Sequence, residues 1–226
     1  MRRLQYDAGQ AAKRLKVSAA QFRWARHTGL IPDPDLPGRQ WSRTAVETVD
    51  AGAVRAAMPT PPISGSAAAD RIAAALGTPN TPGQKAAVTA FVVRRLVDRG
   101  LLADLSAIPD GTLHHPGQVD QVCRRDDLAP LVAAYTPLGP DQAAARLGVR
   151  RSDFDHLVRL GWIRSPQSIE VRFGTSRAGA VAVPLYTTAD VDTVTTAHPE
   201  IDWEQLRTVG KGRRSPLAAL RTPTPA

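Results

Sequence analysis

The sequence predicts a mainly α, α+β winged-helix architecture: three tandem winged helix-turn-helix modules with short β-wings, then a disordered basic C-terminal tail. Three observations predict it. Gln10–Ile31 laid on Gln142–Ile163 at a constant offset matches at Gln10/Gln142, Ala11/Ala143, Ala12/Ala144, Arg14/Arg146, Leu15/Leu147, Val17/Val149, Phe22/Phe154, Gly29/Gly161 and Ile31/Ile163. After each copy an aromatic or His is followed five and eight residues on by Val: Trp41/Val46/Val49, His114/Val119/Val122 and Tyr186/Val191/Val194. Within each copy the order is short helix, tight turn, second helix, then a glycine and an apolar pair. Internal self-similarity of this kind marks a repeat architecture.

Module one covers residues 1–58. Ala11, Ala12 and Leu15 lie three to four apart, which predicts a helix over Ala8–Leu15. Ser18 with Gln21 predicts a capping box at the start of the second helix. Phe22 and Ala25 form its inward stripe, and Gly29 is the left-handed stop. The helical period then turns Ala19, Ala20, Arg23, Arg26 and His27 to solvent; Trp24 is compatible with either a DNA-facing or a core position. Pro32–Gly38 holds three prolines and a glycine, cannot be helical, and reads as a wing loop returning through Trp41. Ser42 or Thr44 caps a third helix carrying Val46 and Val49.

Residues 59–66 read as a linker, stiff at the prolines and flexible at Ser64-Gly65-Ser66. Module two, residues 67–134, has helices over Ala69–Leu76 and Ala86–Arg99, an enlarged turn at Thr78–Gly83, and Pro116–Leu131 as its third-helix region. Module three, residues 135–209, has the cleanest turn at Asp141–Val149. Ile169–Phe173 and Ala180–Tyr186 alternate as a hairpin around Gly174–Gly179. Asp190–Ala197 is its third helix, with a short helix over Ile201–Val209. The tail, 210–226, reads as disordered.

Composition narrows the function. The net charge is +8 with a pI near 10.5, which suits a polyanion. Residues 1–58 carry ten Lys/Arg against five Asp/Glu, 59–134 seven of each, 135–209 eight against nine, and the tail four basic residues alone. Positive charge therefore lies at the two ends. A single cysteine, Cys123, excludes a disulfide framework and fits a reducing cytosol. The N-terminus lacks a signal-peptide apolar run, and no window approaches the roughly eighteen apolar residues of a membrane span. His114-His115 with Cys123 lacks metal-site spacing, Gly210-Lys211-Gly212 lacks the context of a phosphate loop, and no catalytic constellation is evident. We expect no enzyme, no cofactor and no metal.

Ser18-Ala19-Ala20-Gln21-Phe22-Arg23-Trp24-Ala25-Arg26-His27-Thr28-Gly29-Leu30-Ile31 resembles the second helix and stop of the MerR and phage-excisionase group of winged helices, which reads Ser-Pro-x-Thr-Leu-Arg-Tyr-Tyr-x-x-x-Gly-Leu-Ile. The resemblance covers module one well, module three moderately and module two in outline. It implies that the second helix enters the major groove with Arg23 and Trp24 facing DNA, and that the wing touches the flanking backbone or minor groove. The long C-terminal coiled coil of MerR-type regulators is missing, which favours the excisionase or architectural branch.

The candidate DNA-binding residues of module one are Lys13, Arg14, Lys16, Ser18, Ala19, Arg23, Trp24, Arg26, His27, Arg39 and Arg43. Small residues at the helix start permit close approach to base edges, and the arginines offer bidentate or phosphate contacts. In module three the candidates are Arg150, Arg151, His156 and Arg159, beside an Asp155 that repels phosphate; in the tail they are Lys211, Arg213 and Arg214, contacting DNA nonspecifically. Arg94, Arg95 and Arg99 of module two sit among Asp98 and Asp104, and Arg124-Arg125-Asp126-Asp127 reads as a solvated face. The expected function is recognition of double-stranded DNA by a transcription regulator or mobile-element accessory factor, cytoplasmic and nucleoid-associated. Tandem readers suit direct repeats about one helical turn (~10 bp) apart. The alternative is an adaptor whose modules two and three bind a protein partner or self-associate while module one tethers it to DNA.

Overall fold

Local capping fixes most helix starts in the computed structural model, which describes residues 4–108, 111–171, 180–210 and 212–220. Twelve α-helices and seven short strands lie among the described residues, so the chain is mixed helix and small antiparallel sheet. It divides into two compact units, residues 1–129 and 130–226.

The first unit begins with β1 (Gln5–Tyr6), α1 (Ala8–Leu15), α2 (Ala19–His27), β2 (Trp41–Ser42), α3 (Arg43–Glu47) and α4 (Ala51–Ala57). Asp7 and Gln10 cap α1 reciprocally, and α1 ends at Lys16 in the left-handed region, φ 56°. The Ser18 hydroxyl accepts from the Gln21 amide at 3.1 Å while the Gln21 side chain accepts from the Ser18 amide at 2.9 Å, the expected capping box. Gly29, at φ 78°, supplies the left-handed stop. β1 and β2 pair antiparallel through Tyr6 and Trp41. Phe22 meets Trp41 edge to face at 5.3 Å, at the centre of a core with Ala11, Ala12, Ala25 and Val46.

The same unit continues with β3 (Ile63–Ser64), α5 (Gly65–Ala75), α6 (Ala90–Asp98), β4 (Leu113–His114), α7 (Pro116–Cys123) and the start of α8 (Leu128–Ala134). The flexible end expected of the linker is instead structured. Ile63 pairs with His114, Ser64 caps α5 by accepting from the Ala67 amide, and Gly65 lies against the Thr112 side chain where a Cβ would collide. The first helix accordingly starts four residues earlier than its apolar period indicates. The second starts four later, because Asn80 takes the amides of Ala87 and Val88 on its side-chain oxygen. Its nitrogen donates to Asp70 and to the Val88 carbonyl, both at 2.8 Å. One side chain thus closes the long connection between α5 and α6, whose residues 81–85 are exposed.

The second unit holds the rest of α8, then β5 (Pro137–Leu138), α9 (Pro140–Leu147), α10 (Arg151–Arg159), β6 (Gln167–Val171), β7 (Val181–Thr187), α11 (Thr188–Ala197), α12 (Trp203–Thr208) and a 3-10 turn, Pro216–Ala219. β7 is central, pairing with β5 through Tyr186 and Leu138 and with β6 from Leu185–Gln167 to Val181–Val171. The expected hairpin is present; its connection, 172–179, lies outside the described residues. Phe154 meets Tyr186 edge to face at 5.0 Å, the counterpart of Phe22 and Trp41. The order strand, helix, helix, strand, helix thus occurs three times, the third with an added strand, β6, before its last strand, and the first and last strands are paired each time.

Candidate nucleic-acid interface

Charge around α1 and α2 falls into two classes. Arg14 and Arg43 converge on Glu47, at 2.8 and 2.9 Å, and together hold its carboxyl below the usual range. Two of the expected phosphate contacts are therefore neutralised locally, though exposed pairs of this kind exchange readily. Lys13, Lys16 and Arg39 are exposed and engage no carboxylate among the described residues. Arg26 sits 3.7 Å from Asp33, a loose contact at the surface.

The hairpin that carries Arg39 is tightly built. Leu36 bridges Gln40, the Asp35 carboxylate accepts from the Ser42 amide at 2.7 Å, and the Trp41 indole donates to the Pro32 carbonyl at 2.8 Å. Those bonds to Ser42 lower the Asp35 carboxyl. At the tip Gly38 and Arg39 both take positive φ, 73° and 57°. A left-handed arginine stores strain, a feature that concentrates where side chains do work.

α2 presents less of itself to solvent than its period predicts. Ser18 caps the helix and Ala19, Arg26 and His27 are exposed, but Ala20 is buried against Met58, Ala103 and Leu105. Trp24 takes the core alternative: it is half-buried against the same cluster, its indole donates to the Ala57 carbonyl at 3.0 Å, and its ring stacks on His115 at 4.2 Å. The reason is tertiary. α2 has a second apolar face, Ala20 and Trp24, and the end of α4 at Ala57-Met58 and the segment before β4 cover it.

What remains open beside α2 is a cleft of about 580 Å³. Arg23, Arg26, His27 and Arg39 line one side, over Phe22 and Trp41; Val97, Leu102, Ala103 and Asp104 form the other wall. The Arg23 guanidinium has a buried nitrogen, Nη1, with no hydrogen-bond partner among the described residues. Asp104 belongs to this wall without any local signal in the sequence. It accepts from the Ser106 amide at 2.9 Å and lies 3.9 Å from Arg94.

The third repeat departs from expectation. Arg150 grips the buried Asp153 with two bonds of 2.7 and 2.8 Å and donates to the Gly210 and Arg213 carbonyls, both at 2.9 Å. Burial works to raise the Asp153 carboxyl, yet Arg150 and the Ser215 hydroxyl hold it below the ordinary range. Arg151 bridges Asp141 and Asp155 at 3.1 Å each. Arg159 donates to the carbonyls of Leu217 and Leu220 and lies beside His156. Arg150 and Arg159 of the expected reading face are thus occupied by Gly210 and by residues 213–220. The tail is ordered over its described part, with Leu217 1% exposed in the core and Ser215 buried. Its apolar Leu217 and the two arginine clamps outweigh the composition that reads as disorder. Arg213 and Arg214 are exposed; Lys211 lies outside the described residues.

Around α6 the basic residues are also paired, Arg95 with Asp98 at 3.0 Å and over the Phe91 ring. His114 and His115 serve packing. His114 is buried with its Nδ1 at the Ala103 carbonyl, and His115 Nε2 meets the Ala57 carbonyl at 3.1 Å.

The sequence matches no family model, and neither a curated protein nor a solved structure matches it. Among the described residues no helix is long and apolar enough to cross a membrane.

Proposed function

We propose that this chain is a double-stranded DNA-binding protein in which residues 5–42 form a MerR/excisionase-like winged helix-turn-helix, serving as a transcription regulator or mobile-element accessory factor at the nucleoid. The observation that carries the reading is where uncommitted positive charge lies. Lys13, Lys16, Arg23 and Arg39 surround α1, α2 and the Leu36–Gln40 hairpin without carboxylate partners among the described residues, whereas the arginines of α6 and α10 are engaged by acids and carbonyls. The exposed start of α2, Ser18 and Ala19, leaves room for base edges, and Lys16 and Arg39 are placed for phosphates.

Selection of the full-length protein against a random duplex pool, with affinity followed against salt, tests this. Lys16→Ala and Arg39→Ala should each weaken binding and flatten the log–log salt slope by about one. Arg151→Ala should change neither. Absence of binding to any duplex at low salt overturns the reading.

A second reading, an adaptor tethered by residues 5–42, is favoured by the internal pairing of the α6 and α10 cations. It expects salt-dependent binding without an enriched motif.

A further inference from the structure

We propose that the cleft between α2 and the segment 97–104 is a receptor for a small organic anion, one carboxylate or phosphate joined to an apolar, ring-sized body. This goes beyond DNA binding and does not depend on it.

The chemistry is asymmetric in a way that selects the ligand. Four cationic or imidazole side chains line one wall, and Asp104 is the single acid among the lining residues. That acid is already supplied with backbone donors and lies near Arg94. Between the charges the lining is apolar, with the half-buried Ala8 and Val97 over the buried Phe22, Trp41 and Leu102. A volume of about 580 Å³ falls within the range of small-molecule sites. Arg23 decides the class of acceptor. Its Nη1 is buried with no hydrogen-bond partner among the described residues, so this cation is not neutralised from within the chain they form. A planar guanidinium is suited to bidentate capture of a carboxylate or phosphate. A small anion entering the cleft would lie beside the partly exposed Arg23 side chain, with its body against the half-buried Ala8 and Val97. Exposed Arg26 and Arg39 add attraction at the mouth.

The test is isothermal titration calorimetry of the full-length protein with phenyl phosphate, using inorganic phosphate and phenol as its two halves. Phenyl phosphate should saturate one site and bind about tenfold tighter than inorganic phosphate, with phenol silent, because both charge and ring contribute. Arg23→Met should weaken it roughly tenfold or more, the loss of a charge-assisted pair. Val97→Trp, filling the cleft from the α6 side, should do the same, and Lys13→Met, an equal change of charge elsewhere, should do nothing. Should Arg23→Met lose its circular dichroism signal, Val97→Trp carries the decision. The proposal is overturned by absence of saturable phenyl phosphate binding in the millimolar range, by wild-type binding in Val97→Trp, or by an equal loss in Lys13→Met. No DNA enters the assay, so its failure is separate from failure of the DNA reading.

Discussion

Trp24 and His115 stack at 4.2 Å, 21° from parallel, and converge on one acceptor, the carbonyl of Ala57. The Gln118 amide donates to Nδ1 of His115 at 3.3 Å, which leaves Nε2 to carry the proton toward Ala57. The stack joins the first two repeats within one unit. Trp24→Ala should lower the stability of the first unit by about 3 kcal/mol, as loss of a large packed aromatic does. A double-mutant cycle with His115→Ala should return a coupling of about 0.5–1.5 kcal/mol. Denaturant unfolding measures both, and additive effects would show that the stack contributes nothing.

His114 makes the first unit acid-sensitive. Burial pushes its imidazole down, more than the Ala103 carbonyl and Asp104 push it up. The unfolded chain then holds the proton more tightly than the folded one, so stability rises with pH. The contribution is complete above the ordinary histidine value of 6.5 and fades as pH falls below it. Nε2 is also buried without a partner among the described residues. His114→Phe should therefore lose less stability than wild type between pH 7.5 and 5.5, compared by urea unfolding.

Arg39→Gly separates strain from function. Glycine takes φ 57° freely, so the variant should be about 0.5–1 kcal/mol more stable. If Arg39 contacts phosphate, DNA affinity falls in the same protein. Thermal unfolding alongside a fluorescence-anisotropy titration reads both, and a rise in stability with unchanged affinity would leave the hairpin tip without a DNA role.

Arg150→Ala strips the buried Asp153 of its counter-charge and frees two tail carbonyls. It should cost the second unit about 3–5 kcal/mol. Amides of 212–220 should then exchange faster with deuterated solvent than those of the first unit. Unchanged exchange there would mean that Leu217 alone holds the tail.

What the sequence made legible was local. Ser18 with Gln21, Gly29 after α2, and the β6–β7 alternation each announce themselves within a few residues, and the structure has all three. The covering of α2 was not legible, because a small apolar residue such as Ala20 looks the same whether a base edge or Leu105 lies opposite. Arginine is equally silent: Arg150 and Arg159 carry the same pattern whether they face phosphate or the carbonyls of their own chain. Both contacts bridge roughly sixty positions, Arg150 to Gly210 and Arg159 to Leu217, beyond any periodicity.

Asn80 has a consequence for how such a chain can change. Fourteen residues, 76–89, separate α5 from α6, against three in the corresponding places, 16–18 and 148–150. Because one amide side chain pins both ends of the excursion, its length is uncoupled from the helices it joins. Lengthening a closed loop adds only about 0.6 kcal/mol per doubling. The stretch 81–85 is thus a port: a peptide tag or a fluorophore grafted there should leave α5 and α6 undisturbed, and natural insertions can accumulate in it while the surrounding helices stand still.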